Sequence, residues 1–539
     1  MTDRAELATT LTELRAADSG PATSLIPVAL APAPWWRRRL RGEVLAGDAA
    51  ALAGLILALA FLWGRGRSTW YWMDEAISVG IASRPLGSIP ELLRMDGSPP
   101  LYYLLLHGWT SLFGSSEAAT HTLSLIFSLA AVPAALWAGW SLFGRRTGWV
   151  FAALVALSPF LAYYSNETRM YSLVVLLALL TTATFLHAFV FGHRRFLPAF
   201  AVLLTLVLYT HNWGIFLAVG TGAAALACAV LGHDRRRTLT DAALAFGGAG
   251  LLYLPWLPTL VYQRASNPNP WAQRATLLVV REDVADLVGG REVVVALGVG
   301  SAAVLFGILR HRSGRQAVAV ISLLVIPVVV LAGGYATGVW GYRYLAIVVP
   351  PILLVLAVGL ARGGSLAVAA LAVTALLTAP IGVKVPLEQK SNAKAVAEEV
   401  AGDLQPDDLV ISTDYAEVPE LAYYLPPGLR YAGADGLVAA DYVTDWRNGL
   451  ERMRNSQPSV ALPPLIDAVP PGGHVLMMCP RIDLTADVVE YKQLANDRCD
   501  EIKAMLLQDD QLDVVTEVPP SSGSYIIPFE GLLLVKGGG

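Results

Sequence analysis

About eleven apolar runs, most of them close to the twenty residues a membrane-spanning helix needs, constrain this chain more than any other feature. They fall at 45–63, 119–143, 148–165, 171–191, 196–210, 212–231, 240–261, 293–310, 316–338, 344–361 and 365–383. Inside a bilayer every backbone polar group must be bonded within the protein, so such runs can only be bundled helices. Of the 539 residues, 55% are hydrophobic and 15% charged, below the roughly one quarter usual in soluble chains. The chain reads as a polytopic α-helical membrane protein. Its net charge of -4 is too small to mean much over this length; basic clusters punctuate the apolar part, acids dominate the tail, and nothing suggests a nucleic-acid surface.

A further apolar stretch, 99–113, is short and opens on Pro99-Pro100. It reads as a re-entrant or interfacial helix. Leaving it out of the spans puts Arg37 to Arg41, Arg145-Arg146, His193-Arg194-Arg195, Arg235-Arg236-Arg237, Arg310 to Arg315 and Arg362 on one side, as the positive-inside rule asks. Counting it scrambles that pattern. The expected protein is therefore a multi-pass plasma-membrane protein with a cytoplasmic N-terminus. Residues 1–44, polar then Pro/Ala-rich and without a signal-peptide pattern, form a mostly disordered cytoplasmic lead. Residues 45–387 form the transmembrane domain, with a first outer loop at 64–118. Residues 388–539 lie outside the cell and change character. Helix signals at Ala393 to Val400 and Tyr491 to Leu507 alternate with strand signals at Leu409 to Ser412 and His474 to Met478. A closing hairpin is expected at Ser524 to Val535. That pattern predicts a small extracytoplasmic α/β domain without a Gly-rich nucleotide fingerprint. Cys228 falls in an apolar run and reads as a packed small hydrophobe. Cys479 and Cys499 fall in the outer region, where a disulfide survives; they are either bonded or two free thiols.

The same topology gathers the unusual polar residues at one side. They are Asp74, Glu75 and Asp96, then Asn166, Glu167 and Arg169, then His211-Asn212, then Tyr262 and Arg264, then Tyr342-Arg343-Tyr344. The pair Asp74-Glu75 ends the cluster Trp70-Tyr71-Trp72-Met73, and such rings favour the water–lipid boundary. Carboxylates at that level can hold a hydroxyl-bearing acceptor beside a lipid headgroup. Arg169 and Arg343 suit a phosphate, because guanidinium presents paired donors. Each residue also has a plainer reading: acids favouring a helix start, Asp96 forming a turn, arginines snorkelling, His211 bonding locally. His107 and His121 read as structural.

Four segments occur in order: Tyr71 to Ser78, Asp96 to Tyr103, Tyr164 to Ser172 and Tyr209 to Asn212. Together they resemble the loops of GT-C glycosyltransferases. Among these they are similar to the bacterial lipopolysaccharide galacturonosyltransferase-like group, near protein O-mannosyltransferases and the lipid A aminoarabinose transferase. The resemblance covers about 45–360 and leaves the tail outside. It implies a GT-C-like fold and transfer of a sugar from a polyprenyl-phosphate donor to a hydroxyl of a glycan, lipid or protein acceptor on the outer face. It implies Asp74 as the base, with Glu75 orienting it or the acceptor, and inversion at the sugar. Arg169, Arg343, Tyr344 and His211 would meet the donor phosphate; Asp96, Glu167, Asn166, Tyr171 and Tyr102 would meet substrate. Two positions depart from the pattern: Thr168 stands where a small residue is usual, and Asn166 where Gln is commoner. No cofactor is demanded; a divalent ion is possible, although no tight ligand spacing requires one. A transporter or flippase of lipid-linked sugars would place broken helices near the midplane, often in repeated halves. Here the polar groups gather at one end and no repeat shows. An inactive sensor that works through its tail would have no need of the Asp-Glu and Arg-bearing segments.

Overall fold

A computed structural model describes residues 46–232, 234–266, 274–310, 314–413, 415–484, 489–521 and 525–538. The expected lead at 1–44 and Ser524 lie outside the described residues. The chain divides into two compact units, Met1–Ala51 and Leu52–Gly539, and the site and sheet described below belong to the second.

Among the described residues, eight helices are long and apolar enough to cross a membrane: Ala46–Gly64, Glu117–Phe143, Tyr171–Val190, Gly214–Leu231, Arg235–Ser266, Arg291–Arg310, Arg315–Thr337 and Gly364–Leu387. Tyr171–Val190 is apolar all round and 89% of its spanning window is buried, the mark of a helix at the centre of a bundle. Leu57, Phe61, Phe306 and Leu376 on other spans stay exposed, as lipid-facing side chains do. Glu117–Phe143 meets the next helix so closely that a Cβ on Gly139 would lie 2.8 Å from Gly148 Cα. Small residues allow this backbone approach between membrane helices.

The other three expected spans are shorter. The 148–165 run breaks into Arg145–Ala156 and Pro159–Tyr164. Pro159 disfavours helix at the residue before it, and Ser158 caps the new start by accepting from Leu161 N at 3.4 Å. The 196–210 run yields Leu197–Leu208, and the 344–361 run yields a 3₁₀ turn at Tyr342–Ile347 followed by Val349–Leu360, with prolines at its first positions. The first loop is itself helical: Met73–Ala82, Ile89–Asp96 and Leu101–Phe113. Tyr262 and Arg264, expected in a loop, lie on the helix Leu257–Ser266.

The C-terminal region builds one six-stranded sheet. Its strands are β1 Leu409–Ile411, β2 Arg430–Gly433, β3 Gly436–Leu437, β4 His474–Pro480, β5 Leu512–Val518 and β6 Phe529–Lys536, in the order β3-β2-β1-β4-β6-β5. β1 runs parallel to β2 and β4, and the other pairs are antiparallel. The closing hairpin is thus β5 with β6, starting well before Ser524. Alternation along β4 serves two cores. Leu476 and Met478 face Val396 and Leu421, whereas Val475, Met477 and Cys479 face Cys499, Ile502 and Leu506 of helix Glu490–Leu507. All three cysteines are free and buried, which resolves the Cys479–Cys499 alternative in favour of thiols. Cys499 Sγ donates to Glu530 Oε1 at 3.2 Å.

Glu420, on helix Val418–Tyr424, is fully buried. Burial, helped by nearby Glu75, pushes its carboxyl up to about 8 from 4.5. An acid raised on folding favours the folded state less as pH climbs; the penalty begins near the unfolded value and is complete above the folded one. Glu420→Gln is expected to raise the melting temperature by a few degrees at pH 8.5 and to change it little at pH 5. Equal shifts at both pH values would contradict this.

Candidate functional site

The helix Met73–Ala82 starts after Trp72, whose backbone is extended, and eight of its ten residues are buried. Asp74 and Glu75 stand in its first turn, yet no side chain caps the helix. Consecutive helical residues point about 100° apart, and these two carboxylates go to different places.

Asp74 turns toward a cavity of about 130 Å³. Arg343 Nη1 donates to its Oδ2 at 2.9 Å, and Arg169 Nε lies 3.9 Å from the same oxygen. Arg169 Nη1 is held by Ser78 Oγ at 3.0 Å and Tyr103 OH at 3.1 Å. Tyr103 OH donates in turn to Asp96 Oδ2 at 3.2 Å. Burial raises the Asp96 carboxyl against the pull of Arg169. The cavity is also lined by Tyr171, His211, Tyr344 and Trp446. His211 is held down to about 3 by burial and then by Arg169 and Arg343, so its ring is neutral at physiological pH. Its Nδ1 accepts from Trp213 N at 3.1 Å, which leaves the ring proton on Nε2 as a donor. Trp446 arrives from the C-terminal region, its backbone N–H donating to Met95 O at 3.2 Å.

Three of these residues follow from where helices stop. Arg169 lies in the turn between Tyr164 and Tyr171, His211 in the turn after Leu208, and Arg343 in the 3₁₀ turn before Val349. The basic connections meet at the other ends of the helices, where Arg194 pairs with Asp241 at 2.7 Å and Gly192, Arg237 and Arg315 line one cavity.

Glu75 points the other way. Its Oε1 accepts from His121 Nε2 at 2.7 Å and from Thr168 N at 2.6 Å. Lys390 Nζ lies 3.6 Å from Glu75 Oε2 and donates to Glu167 Oε2 at 3.0 Å. Burial works to raise the Glu75 carboxyl, but Lys390 and His121 prevail and hold it low. Glu167 goes up, because burial outweighs the same lysine. Asn166 Nδ2 is committed to Trp63 O and Ser165 Oγ, both at 2.9 Å, and Tyr102 is fully buried. Of the eleven residues singled out from sequence, Asp74, Asp96, Arg169, Tyr171, His211, Arg343 and Tyr344 line the cavity; Glu75, Glu167, Asn166 and Tyr102 do not. His107 Nδ1 meets Ala82 O at 2.8 Å. Sequence reasoning missed Tyr103, although it stands inside the segment Asp96 to Tyr103. It also missed Lys390 and Trp446, which carry no local signal.

A second cavity, about 300 Å³, shares Gly97, Asn212, Trp213 and Val339 with the first and continues past Ile215, Phe216 and Leu260. A mainly apolar groove between the helices Gly214–Leu231 and Leu257–Ser266 thus adjoins the polar chamber, with Gln263 and Arg264 also on its wall.

No protein-family model and no curated protein matches the sequence. Solved structures do match. ArnT from Cupriavidus metallidurans in its apo state superposes with a TM-score of 0.62 at 12% identity, covering 90% of this chain and 98% of that one. The same protein bound to undecaprenyl phosphate gives 0.60 at 12% identity, covering 91% and 98%. The archaeal oligosaccharyltransferase AglB from Archaeoglobus fulgidus, in complex with an inhibitory peptide and a dolichol-phosphate, gives 0.51 at 11%, covering 80% and 70%. The chain therefore shares the fold of ArnT. The expectation of a polytopic helical protein with a C-terminal sheet holds, and among the described residues eight helices are long and apolar enough to cross a membrane.

A divalent ion fits the cavity poorly. Its two acids, Asp74 and Asp96, are already bonded by Arg343 and Tyr103. Among the described residues no group of three or more His, Cys, Asp or Glu side chains gathers as a metal would need.

Proposed function

We propose that this protein is a membrane glycosyltransferase that moves a sugar from a polyprenyl-phosphate donor to an acceptor hydroxyl on the outer face, with inversion. One observation carries the reading: a carboxylate and two guanidiniums share a small cavity that adjoins a mainly apolar groove between apolar helices. The groove suits a prenyl chain and the chamber suits its phosphate and sugar. The basic connections clustered at the opposite end support a cytoplasmic assignment for that end.

In this reading Asp74 takes the proton of the acceptor hydroxyl. The freed oxygen forms a bond to the anomeric carbon as the bond from that carbon to the phosphate oxygen breaks. Polyprenyl phosphate leaves with the electron pair, gaining one negative charge that Arg343 and Arg169 offset. The His211 Nε2 proton and the Tyr344 hydroxyl add neutral donors. Asp96, facing the same space, holds the acceptor, and Glu75 orients the helix that carries Asp74. The phosphate takes over guanidinium donors that Asp74 holds in the free protein.

The test incubates purified protein with a panel of polyprenyl-phosphate sugars and follows release of polyprenyl phosphate, beside Asp74→Ala. Release that depends on one sugar and on Asp74 supports the reading. Equal release from both proteins would remove the mechanism, and no release from any donor, with acceptors varied, would remove the activity. Transfer is expected to persist in excess chelator, because arginines already supply the positive charge; loss restored by a divalent ion would reverse that expectation.

A further inference from the structure

We propose that Lys390 is a positioning residue for the transferase site, and that through it the C-terminal sheet region completes that site from behind. The proposal rests on the functional reading above for its kinetic consequences, but not for its structural test.

Lys390 lies just past the last membrane helix, in a segment bonded on two sides. Its backbone joins the sheet region. Lys390 O accepts from Ile526 N at 3.0 Å and Ile527 N at 3.1 Å, and the Asn392 side chain exchanges two hydrogen bonds with the backbone of Phe529 at 2.6 and 3.1 Å. Its side chains reach the acidic loop. Gln389 Oε1 accepts from Trp70 N at 2.8 Å, and Lys390 Nζ meets Glu167 and Glu75. A second element repeats the link. Tyr71 N donates to Tyr424 OH at 2.6 Å, and Trp72 packs among Val396, Val410 and Leu476 of the sheet core. The segment that delivers Asp74 is therefore fastened to the C-terminal region residue by residue.

Electrostatics singles out Lys390 within this seam. Lys390, Glu75 and Glu167 are all buried, at 5%, 0% and 1% exposure. One ammonium serves two carboxylates. Among the described residues no hydrogen bond reaches Glu75 Oε2 or Glu167 Oε1, so without the lysine two buried charges lose their common partner. These acids are also the chain neighbours of the reacting groups. Glu75 adjoins Asp74. Glu167 stands two residues before Arg169, and Thr168 between them donates its N–H to Glu75. The other ionisable groups facing this cluster include His121, on Glu75; Tyr163, whose ring lies 5.0 Å from Lys390 Nζ; Tyr164, beside Glu167; Tyr71, Tyr102 and Tyr424, near Glu75; Glu420, on the sheet side; and Asp74, one residue along the helix. Lys390 is not among the residues that line the cavity, so its effect passes through the two carboxylates.

The experiment uses the full-length protein in lipid nanodiscs, as wild type, Lys390→Arg, Lys390→Met and Lys390→Met/Glu167→Gln. Hydrogen exchange of amides 73–82 and 165–171 is read first. Lys390→Met should exchange at least about tenfold faster in both segments, Lys390→Arg close to wild type, and the double variant between them, since it removes one of the two stranded charges. Unchanged exchange in Lys390→Met would overturn the proposal. So would faster exchange spread evenly over the sheet at 409–536, which would mean general loosening. Should Lys390→Met not be recovered folded, the double variant decides: intermediate exchange supports, wild-type exchange overturns. In the transfer assay, kcat should fall about a hundredfold with KM for the donor little changed. The acid limb of the pH profile should move up by about one unit or more, because both carboxylates lose the cation that favours their ionised forms. An unmoved acid limb and kcat in an active Lys390→Met protein would also overturn it. If even wild type transfers no sugar, the functional reading fails and the exchange measurement still decides the role of Lys390.

Discussion

Asp74→Asn is expected to cut sugar transfer about a thousandfold or more while the protein stays folded. The substitution keeps the size of the side chain and an oxygen that can accept from Arg343, which donates to Asp74 Oδ2 at 2.9 Å. The helix Met73–Ala82 and its packing should be undisturbed, since Ser78 Oγ donates to the Asp74 backbone rather than its side chain. What disappears is a group able to take a proton, and such groups contribute roughly 10²–10⁴ in rate. The measurement is turnover at saturating donor, beside a melting curve. Turnover within tenfold of wild type would dismiss Asp74 as the base and move attention to Asp96, the other acid in the cavity.

Arg343→Met is expected to lower kcat by roughly 10²–10³ and to weaken inhibition by free polyprenyl phosphate. In the proposed reaction the leaving group gains charge as the glycosidic bond breaks, and Arg343 lines the cavity where that charge would appear. Arg343→Lys should recover only part of the loss, because an ammonium cannot present two parallel N–H groups. Arg169→Met should differ in kind. Arg169 is bonded to Ser78 and Tyr103, so its loss should lower the melting temperature as well as the rate. Full activity in Arg343→Lys and unchanged inhibition in Arg343→Met would show that the phosphate is held elsewhere.

The membrane fold was legible because hydrophobicity over twenty residues is a local property. Each of the eight full spans lies under an expected apolar run. Three runs came out short because a few residues within them outweigh the average: Ser158-Pro159 in one, Tyr209 to Asn212 at the end of another, and Pro350-Pro351 in the third. The polar residues of the cavity were visible for a related reason, since charge at a helix end stands out against an apolar background. Which way each points was not visible. Asp74 and Glu75 look alike in sequence, and only tertiary partners, His121 and Lys390 for one and Arg343 for the other, send them apart. Lys390 and Trp446 lie far along the chain from the loops they join and could not be found without the fold.

The three short helices have a consequence for depth. Arg145–Ala156, Leu197–Leu208 and Val349–Leu360 have twelve residues each, about 18 Å at 1.5 Å per residue, against a hydrocarbon layer of about 30 Å. Leu197–Leu208 ends at the turn of His211, Val349–Leu360 starts after the turn of Arg343, and Arg145–Ala156 leads through Pro159–Tyr164 to the turn of Arg169. Helices of that length fall on the order of 10 Å short of the layer, so a lipid headgroup is expected to stand above the cavity floor. In the proposed reaction lipid chain length then becomes a variable, and shorter acyl chains are expected to speed transfer by bringing headgroup and floor to one level.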